Sequence, residues 1–354
     1  MQEPFVGSEA LAAHILTPYR LRSRFTAIHP DIYVTTGTEL DAITRARAAW
    51  LWSRRRGIVA GHSAAALHGA KWIDNRSPAE LLYDYRRPPT GVHTWSDAVA
   101  EDEIQRIAGM PVTTAARTAL DLSCRYPVGK AVAAIDALCR ATELKIPDAE
   151  LLAERYRGRR GIRHARTTLN LVDPGAESPR ETWLRLILIR AGFPKPQTQI
   201  PVYDRYGQLV AVLDMGWQHI KVAVEYDGDH HRTDRRQFSK DIRRAETIAE
   251  LGWINVRVTA EDTEGSVIWR LSAAWDRRTC TQRENDSESR SDCTFGERDQ
   301  PRTGALGVNT TGIDSKPLTK FAGRSGNASE DASRRSGSRR STRSVINDNS
   351  KRAS

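Results

Sequence analysis

The chain has 354 residues, of which 39% are hydrophobic and 28% are charged, and its formal net charge is +10 at pH 7. This length suits about two domains, and no segment approaches the roughly 18 consecutive apolar residues of a membrane span. The N-terminus lacks the basic segment followed by an apolar one that marks a secretory signal. The four cysteines show no C-x-x-C spacing, which favours reduced thiols. We therefore expect a cytoplasmic protein with no membrane partner.

The positive charge favours a nucleic-acid partner, because Lys and Arg neutralise backbone phosphates. Arg far outnumbers Lys, however, and a GC-rich genome produces that bias whatever the protein binds. Charge alone therefore does not establish DNA binding.

Residues 1–172 show mostly helical patterning. In chain order the pattern predicts a strand at Asp31–Thr35, helices at Leu40–Arg55 and His62–Leu67, a strand at Ala79–Tyr85, and helices at Thr114–Leu122 and Lys130–Arg140. The last helix places Val132, Ile135 and Leu138 on one face. The turn residues Asp173-Pro174-Gly175 then mark a break.

After the break the predicted order is helix, three strands, helix, strand. Ser178-Pro179-Arg180-Glu181 opens the first helix with an N-cap, a first-turn proline and a glutamate three residues after the cap. The elements that follow are strands Thr198–Tyr203, Leu209–Asp214 and Ile220–Asp227, a helix at Arg235–Leu251 and a strand at Trp253–Val258. The first two strands flank a hairpin turn at Asp204–Gly207.

From Thr279 onward Ser, Arg, Asp, Asn, Gly and Thr dominate, and aromatic residues nearly vanish. Such a composition does not bury enough apolar surface to offset its ordering entropy. We expect a disordered tail over residues 279–354, which either holds nucleic acid loosely or is inert.

Three acids lie near the ends of two neighbouring predicted strands. Because strand side chains alternate, Glu225 and Asp227 point to one face. If the two strands form an antiparallel hairpin through Met215–His219, Asp214 lies beside Glu225. Three converging carboxylates repel one another, and a hard divalent cation relieves that repulsion. The residues therefore predict a Mg²⁺ (or Mn²⁺) site with Asp214, Glu225 and Asp227 as ligands, able to activate water against a phosphodiester.

Each acid also has a simpler interpretation. Asp227-Gly228 is a common turn pair, Glu181 fits a capping box with Ser178, and Asp214 could face solvent at a strand end. The combination of these residues favours a metal site. One acid is followed, after ten residues, by an acid-x-acid pattern on the next strand, and histidines come shortly after it.

These segments carry a family resemblance over about a quarter of the chain. The residues that carry it are Ser178-Pro179-Arg180-Glu181-Thr182-Trp183-Leu184-Arg185, Leu213-Asp214-Met215-Gly216-Trp217, Val224-Glu225-Tyr226-Asp227-Gly228-Asp229-His230-His231, Asp241-Ile242-Arg243-Arg244 and Gly252-Trp253-Ile254-Asn255-Val256-Arg257-Val258. Residues 177–261 resemble the bacterial domains of unknown-function family 559, related to the very-short-patch-repair endonucleases of the PD-(D/E)XK superfamily. The resemblance implies a restriction-endonuclease-like α/β core with a central mixed sheet, metal-binding acids at Asp214 and Glu225, a helical acid at Glu181 and a functional histidine at His231.

One position departs from the superfamily pattern. The superfamily name implies a lysine two residues after the second acid, and Asp227 occupies that place. Lys221 lies on the same strand but out of register. The water-activating role then falls to His231 or to a second metal, or else the fold binds DNA without cutting it.

Five basic residues of the second predicted helix are candidates for gripping DNA phosphates. They are Arg235, Arg236, Lys240, Arg243 and Arg244. The alternative interpretation is a solvated helix face.

The front half carries a second resemblance. The matching segments are His29-Pro30-Asp31-Ile32-Tyr33-Val34, Val59-Ala60-Gly61-His62-Ser63-Ala64-Ala65-Ala66-Leu67-His68-Gly69 and Val112-Thr113-Thr114-Ala115-Ala116-Arg117-Thr118-Ala119-Leu120-Asp121-Leu122. They resemble AbiEi-type antitoxins and transcriptional regulators, whose members often start with a winged helix-turn-helix. Only Ser8–Arg24 precedes the Tyr33 motif, so a reader helix here is expected to be short or truncated.

The sequence as a whole predicts an α/β protein in three parts. They are a mostly helical DNA- or partner-binding region over residues 1–172, an endonuclease-like domain over 177–278 and the tail. The leading hypothesis is a metal-dependent DNA endonuclease acting in repair or defence. The alternative is a non-catalytic DNA-binding regulator of the toxin–antitoxin kind, with a cognate toxin or another protein as partner.

Overall fold

The computed structural model of the chain describes residues 3–228 and 235–292, with backbone alone at 235–241 and 281–292. Helices and three sheets alternate along it, which confirms the α/β class. Within these residues no helix is both long and apolar enough to cross a membrane. The thiols of Cys124, Cys139 and Cys280 are free.

The chain begins with a small three-stranded sheet and two short helices. Its elements are β1 (Phe5–Val6), α1 (Gly7–Ala12), α2 (Pro18–Arg24), β2 (Phe25–His29) and β3 (Ile32–Thr35), with sheet order β1-β3-β2. Thr17 caps α2 by accepting a hydrogen bond from the Arg20 N–H, and Pro18 occupies the first helical turn. A helix pair followed by an antiparallel hairpin is the element order of a winged helix, and α2 is only seven residues long.

A five-stranded sheet follows. Its elements are α3 (Ala42–Trp52), β4 (Ile58–Val59), α4 (Gly61–Leu67), β5 (Ala79–Leu82), β6 (Val92–Trp95), β7 (Ile104–Ile107) and β8 (Met110–Thr113), with order β6-β5-β4-β8-β7. Ala46 and Ala49 of α3 pack on Val59, Leu81 and Val112 of the sheet. The helices match those predicted, but the sequence predicts only one of these five strands, because segments of two to four residues carry too little alternation.

Four helices complete the front half. They are α5 (Ala115–Arg125), α6 (Val128–Ala141), α7 (Ile146–Arg155) and α8 (Ile162–Leu169). Arg117 of α5 is fully buried and pairs with Glu103 and Asp121. Arg155 from α7 reaches Glu103 at 2.8 Å, and Arg159 reaches Asp121 at 2.6 Å. The motif around Arg117 therefore builds the fold through a buried ionic network.

The back half has the predicted order of helix, three strands, helix and strand. Its elements are α9 (Pro179–Arg190), β9 (Gln197–Tyr203), β10 (Leu209–Trp217), β11 (Val222–Tyr226), α10 (Arg235–Glu250), β12 (Ile254–Val258) and α11 (Glu264–Asp292). The sheet order is β12-β11-β10-β9, with β11 and β12 parallel and the other pairs antiparallel. The sheet is therefore mixed, as expected.

Strand β11 is shorter than the predicted Ile220–Asp227, so Asp227 lies after its end. Two other boundaries that differ from the prediction are explained by burial and helix extension. Strand β10 continues past Asp214 because Met215 and Trp217 are buried in the core, at 0% and 3% exposure. Helix α11 continues past Thr279, where the composition predicts the tail to begin. Val267, Leu271 and Ala274 anchor its first turns in the core, and extension of a formed helix adds one hydrogen bond per residue. Residues 293–354 of the predicted tail lie outside the described residues.

A buried carboxylate joins the two halves. Asp136 of α6 accepts hydrogen bonds at 2.8 Å from the Arg185 guanidinium and the Thr182 hydroxyl, both on α9, and from the Asp173 N–H. Arg185 and Asp136 are 0% and 1% exposed. Burial raises the pKa of Asp136 to about 6, and the neighbouring Arg185 opposes that rise. The carboxylate is thus ionised at neutral pH and fixes α9 against α6.

We expect Asp136→Ala to lower the free energy of unfolding by about 3–5 kcal/mol, because it leaves the Arg185 charge buried and unpaired. Urea unfolding followed by circular dichroism measures the change. Glu143→Ala, which removes an exposed acid just after α6, is the matched control and should change stability by less than about 0.5 kcal/mol. Equal losses of unfolding free energy in the two variants would show that the buried ion pair contributes no more to stability than an exposed acid does.

Candidate active site

Asp214 and Glu225 lie side by side, as the hairpin interpretation predicts. Met215 pairs with Val224 across β10 and β11, so the next position along the ladder brings Asp214 opposite Glu225. Asp214 Oδ2 accepts a hydrogen bond at 2.8 Å from the Tyr226 N–H. The carboxylate is therefore held against the end of β11.

Glu225 is 7% exposed and is held by two donors from other elements. Its Oε1 accepts from the Arg244 guanidinium of α10 at 2.7 Å, and its Oε2 accepts from the Asn255 amide of β12. Asn255 Oδ1 is buried and has no hydrogen-bond partner among the described residues. The site thus contains one buried oxygen whose bonding capacity is unused.

Glu181 completes the capping box at the start of α9. Its backbone N–H donates to Ser178 Oγ at 3.2 Å, and its carboxylate accepts from the Glu177 N–H at 2.8 Å and from the Ser178 hydroxyl at 2.9 Å. Burial raises the pKa of Glu181. Glu181 also borders a cavity of about 420 Å³, which is lined on its other sides by Lys71, Trp72 and Arg140.

The three acids form one electrostatic cluster. Burial, followed by the negative charges of Glu181 and Glu225, raises the pKa of Asp214 to about 7, while the Tyr226 N–H and Arg244 oppose the rise. Burial is thus the main cause of the rise, and repulsion by the two neighbouring carboxylates adds to it. Glu181, Asp214 and Glu225 are the acids that the structure brings together.

Asp227, the third predicted ligand, has a different partner. It follows the end of β11, and its carboxylate lies 3.1 Å from the Arg257 guanidinium of β12. Its backbone N–H donates to Val258 O at 2.7 Å. The described contacts of Asp227 are thus with β12.

The predicted basic residues divide into three groups. Arg244 turns inward to Glu225 and also donates to Val212 O at 2.9 Å, while Arg243 is exposed. The side chains of Arg235, Arg236 and Lys240 lie outside the described residues, as does His231. Lys221 donates to Leu251 O at 3.0 Å at the end of α10, which agrees with its being out of register with the acids.

The donor set suits a hard cation. Within the described residues no three His, Cys, Asp or Glu side chains are arranged to hold a metal ion by themselves. Mg²⁺ usually binds through one or two carboxylates, with water and substrate phosphate as further ligands. Asp214, Glu225 and the unpartnered Asn255 Oδ1 offer oxygens of this kind. The residues therefore fit Mg²⁺ or Mn²⁺ as a partly open site.

Sequence reasoning missed Asn255 and the inward role of Arg244. Asn255 reaches Glu225 because β11 and β12 pair in parallel, with Ala223 opposite Asn255 and Glu225 opposite Arg257. An uncharged polar residue among the apolar positions of strand Ile254–Val258, which also carries Arg257, was the available signal.

Comparison with known proteins identifies relatives but no described activity. Two proteins of Mycobacterium tuberculosis, from strains CDC 1551 / Oshkosh and ATCC 25618 / H37Rv, are similar to this chain, and each is described as an uncharacterized protein. Each is 28% identical over 249 residues, which is 69% of this chain and 90% of the relative. Wherever an alignment of this length begins, it must cover the middle of the chain. It therefore includes Asp136, Asp214 and Glu225. No family model and no solved structure matches the sequence.

The raised pKa of Asp214 makes stability fall as pH rises. Between pH 4 and 7 the native state keeps a proton that the unfolded chain releases, so the free energy of unfolding decreases over this range. A side-chain amide at this position does not ionise, and its oxygen still accepts from the Tyr226 N–H. We expect Asp214→Asn to raise the free energy of unfolding by about 2–4 kcal/mol at pH 8 and to leave it nearly unchanged at pH 4.

Urea titrations of both proteins in EDTA at several pH values measure this difference. Glu246→Gln, at an exposed position of α10, serves as the control. A gain in Asp214→Asn that is the same at pH 4 and pH 8 would contradict the assignment.

Proposed function

We propose that this protein is a metal-dependent DNA endonuclease that hydrolyses phosphodiester bonds. The proposal depends on one observation: Asp214 and Glu225 are adjacent across β10 and β11, with Glu181 as their electrostatic neighbour. The order of helix, three strands, helix and strand around a mixed sheet supports it, as does the resemblance to very-short-patch-repair endonucleases. The free thiols agree with a cytoplasmic location, which is part of the proposal.

Each residue has a role that follows from its contacts. Asp214 and Glu225 would hold Mg²⁺ or Mn²⁺, and Asn255 fixes the Glu225 carboxylate while offering Oδ1 as a further oxygen. A bound divalent cation supplies polarisation of the phosphate and a lower pKa for a coordinated water. The Arg244 side chain is about one-third exposed. Its guanidinium places a positive charge where a phosphate would approach the acids. His231 and the remaining basic residues of α10 stay candidates for proton transfer and phosphate binding.

We expect Asp214→Asn and Glu225→Gln to reduce nicking of supercoiled plasmid at least about 100-fold in Mg²⁺ or Mn²⁺. Asp227→Asn should cause a smaller loss, because Asp227 pairs with Arg257. Glu246→Gln is the matched control for Glu225→Gln and should retain wild-type activity. Gel quantification of nicked product, with an EDTA arm, measures all four variants.

Metal binding gives a readout that does not depend on cleavage. In wild type, Mg²⁺ or Mn²⁺ should raise the Tm at pH 8 by relieving the carboxylate repulsion, and Asp214→Asn should lose that response. Cleavage that survives in both acid variants would refute the nuclease assignment.

One set of contacts favours a second candidate, a DNA-binding regulator without turnover. Arg244 and Asn255 already occupy both oxygens of Glu225, and Asp227 stands where the superfamily lysine is expected. The helix pair and hairpin at the N-terminus would then supply DNA binding, with a toxin as the protein partner. This candidate is favoured if the protein retards DNA equally in EDTA and in Mg²⁺ and does not nick it.

A further inference from the structure

A basic and aromatic cleft lies in the front half, away from the acid cluster. Its volume is about 760 Å³, the largest among the principal cavities of the described residues. It is bounded by the first small sheet, the end of α3 and the residues after β5. Its lining includes the acids Glu9 and Asp31 and a set of basic and aromatic residues, which are Arg54, Arg55, Arg56, Trp52, Tyr83 and Tyr85. We call it the arginine cleft.

The three arginines follow α3 in an unusual backbone conformation. The Arg54 N–H donates to Leu51 O and the Arg55 N–H to Trp50 O, which is the Schellman pattern of a helix end. Glycine is preferred after such an end, because the left-handed region is unfavourable for residues with a Cβ. Arg54 and Arg55 nevertheless have φ of 56° and 62°. Non-glycine residues held in this region often mark ligand-binding sites.

Two of the three guanidinium groups have no acidic partner among the residues that the structure describes. Arg55 forms a double hydrogen bond with Glu9, at 2.7 Å to each oxygen. Asp31, the other acid on the lining, is bonded to the N–H and hydroxyl of Ser8. Within the described part of the chain no carboxylate lies within ion-pair distance of Arg54 or Arg56. The cleft therefore carries uncompensated positive charge from two neighbouring residues that are both exposed.

Aromatic rings border the same space. The Tyr83 and Tyr85 rings are parallel, with an interplanar angle of 1°, and Trp52 meets both edge-on. The Arg56 guanidinium lies 6.0 Å from the Tyr83 ring centroid. Tyr85 remains 47% exposed. A flat π surface beside unpaired guanidinium groups has the chemistry that recognises a base and its phosphate.

We propose that the arginine cleft binds an unpaired nucleotide, either free or within a single strand of nucleic acid. Arg54 and Arg56 contact its phosphate, and Tyr85 stacks on its base while Trp52 and Tyr83 hold the Tyr85 ring in place. Arg55 positions the arginine segment through Glu9. This site is separate from the acid cluster, so its binding is measured in EDTA and does not depend on the proposed nuclease activity.

Fluorescence anisotropy of a labelled short oligothymidylate with the full-length protein tests the proposal, with thymidine monophosphate titrated as a second arm. Arg54→Ala/Arg56→Ala should weaken binding and lower the slope of log affinity against log salt by about 1.4, at about 0.7 per lost phosphate contact on a single strand. Tyr85→Ala should weaken binding about tenfold, and Tyr85→Phe, which keeps the ring, should bind like wild type. Circular dichroism checks that each variant is folded.

The matched control is Arg160→Ala/Arg163→Ala, which removes two exposed arginines at the start of α8. The site is supported if the cleft variants lose binding of the oligonucleotide or of the monophosphate while this control keeps it. Absence of binding to both probes, or equal losses in the control, overturns it. Equal competition by polyglutamate or by duplex DNA also overturns it, because base recognition would then play no part.

Discussion

The ion pair between Asp136 and Arg185 fixes the frame in which the candidate site exists. It joins α6 to α9 with both side chains out of contact with water, and burying two charges is tolerated only when each has partners. Thr182 and the Asp173 N–H complete the bonding of the carboxylate. Because Glu181 lies one residue before Thr182 on α9, the same contacts determine where the helical acid meets Asp214. The front half thus takes part in placing an acid of the back-half site.

The buried acids of the two halves differ in how many basic partners they have. In the front half, Glu103 and Asp121 are matched by Arg117, Arg155 and Arg159. In the back half, Arg244 is bonded to Glu225 and lowers the pKa of Asp214, whereas the basic residue whose charge acts on Glu181 is Arg140. A matched network builds a rigid core, whereas an excess of carboxylate leaves a site with electrostatic demand for a cation. Burial is the main cause of the raised pKa of Asp214, and the negative charges of Glu181 and Glu225 add to it.

Local rules explain what could be predicted from the sequence. The capping box at Ser178 and Glu181 lies within one helical turn, and the Asp214–Glu225 pairing follows from strand alternation and a short hairpin. Other contacts depend on long-range pairing that no local pattern encodes. Asn255 meets Glu225 only because β12 returns parallel to β11, and Asp136 meets Arg185 across a separation of 49 residues. Strand alternation predicts Asp227 as a third ligand, and its ion pair with Arg257 on the neighbouring strand is a further contact that alternation does not encode.

The two proposed functions differ in what would neutralise Glu225: a divalent cation in the nuclease, and Arg244 in the non-catalytic regulator. In the structure Arg244 and Asn255 hold both of its oxygens, and a guanidinium compensates one carboxylate charge. Burial raises the pKa of Asp214 to about 7, and the charges of Glu181 and Glu225 add to that rise in spite of Arg244. Under the proposed function, Asp214, Glu225 and Asn255 Oδ1 would hold a divalent cation, which would supply twice the positive charge of Arg244. Under the proposed nuclease function, metal binding at Glu225 would leave Arg244 available to a substrate phosphate.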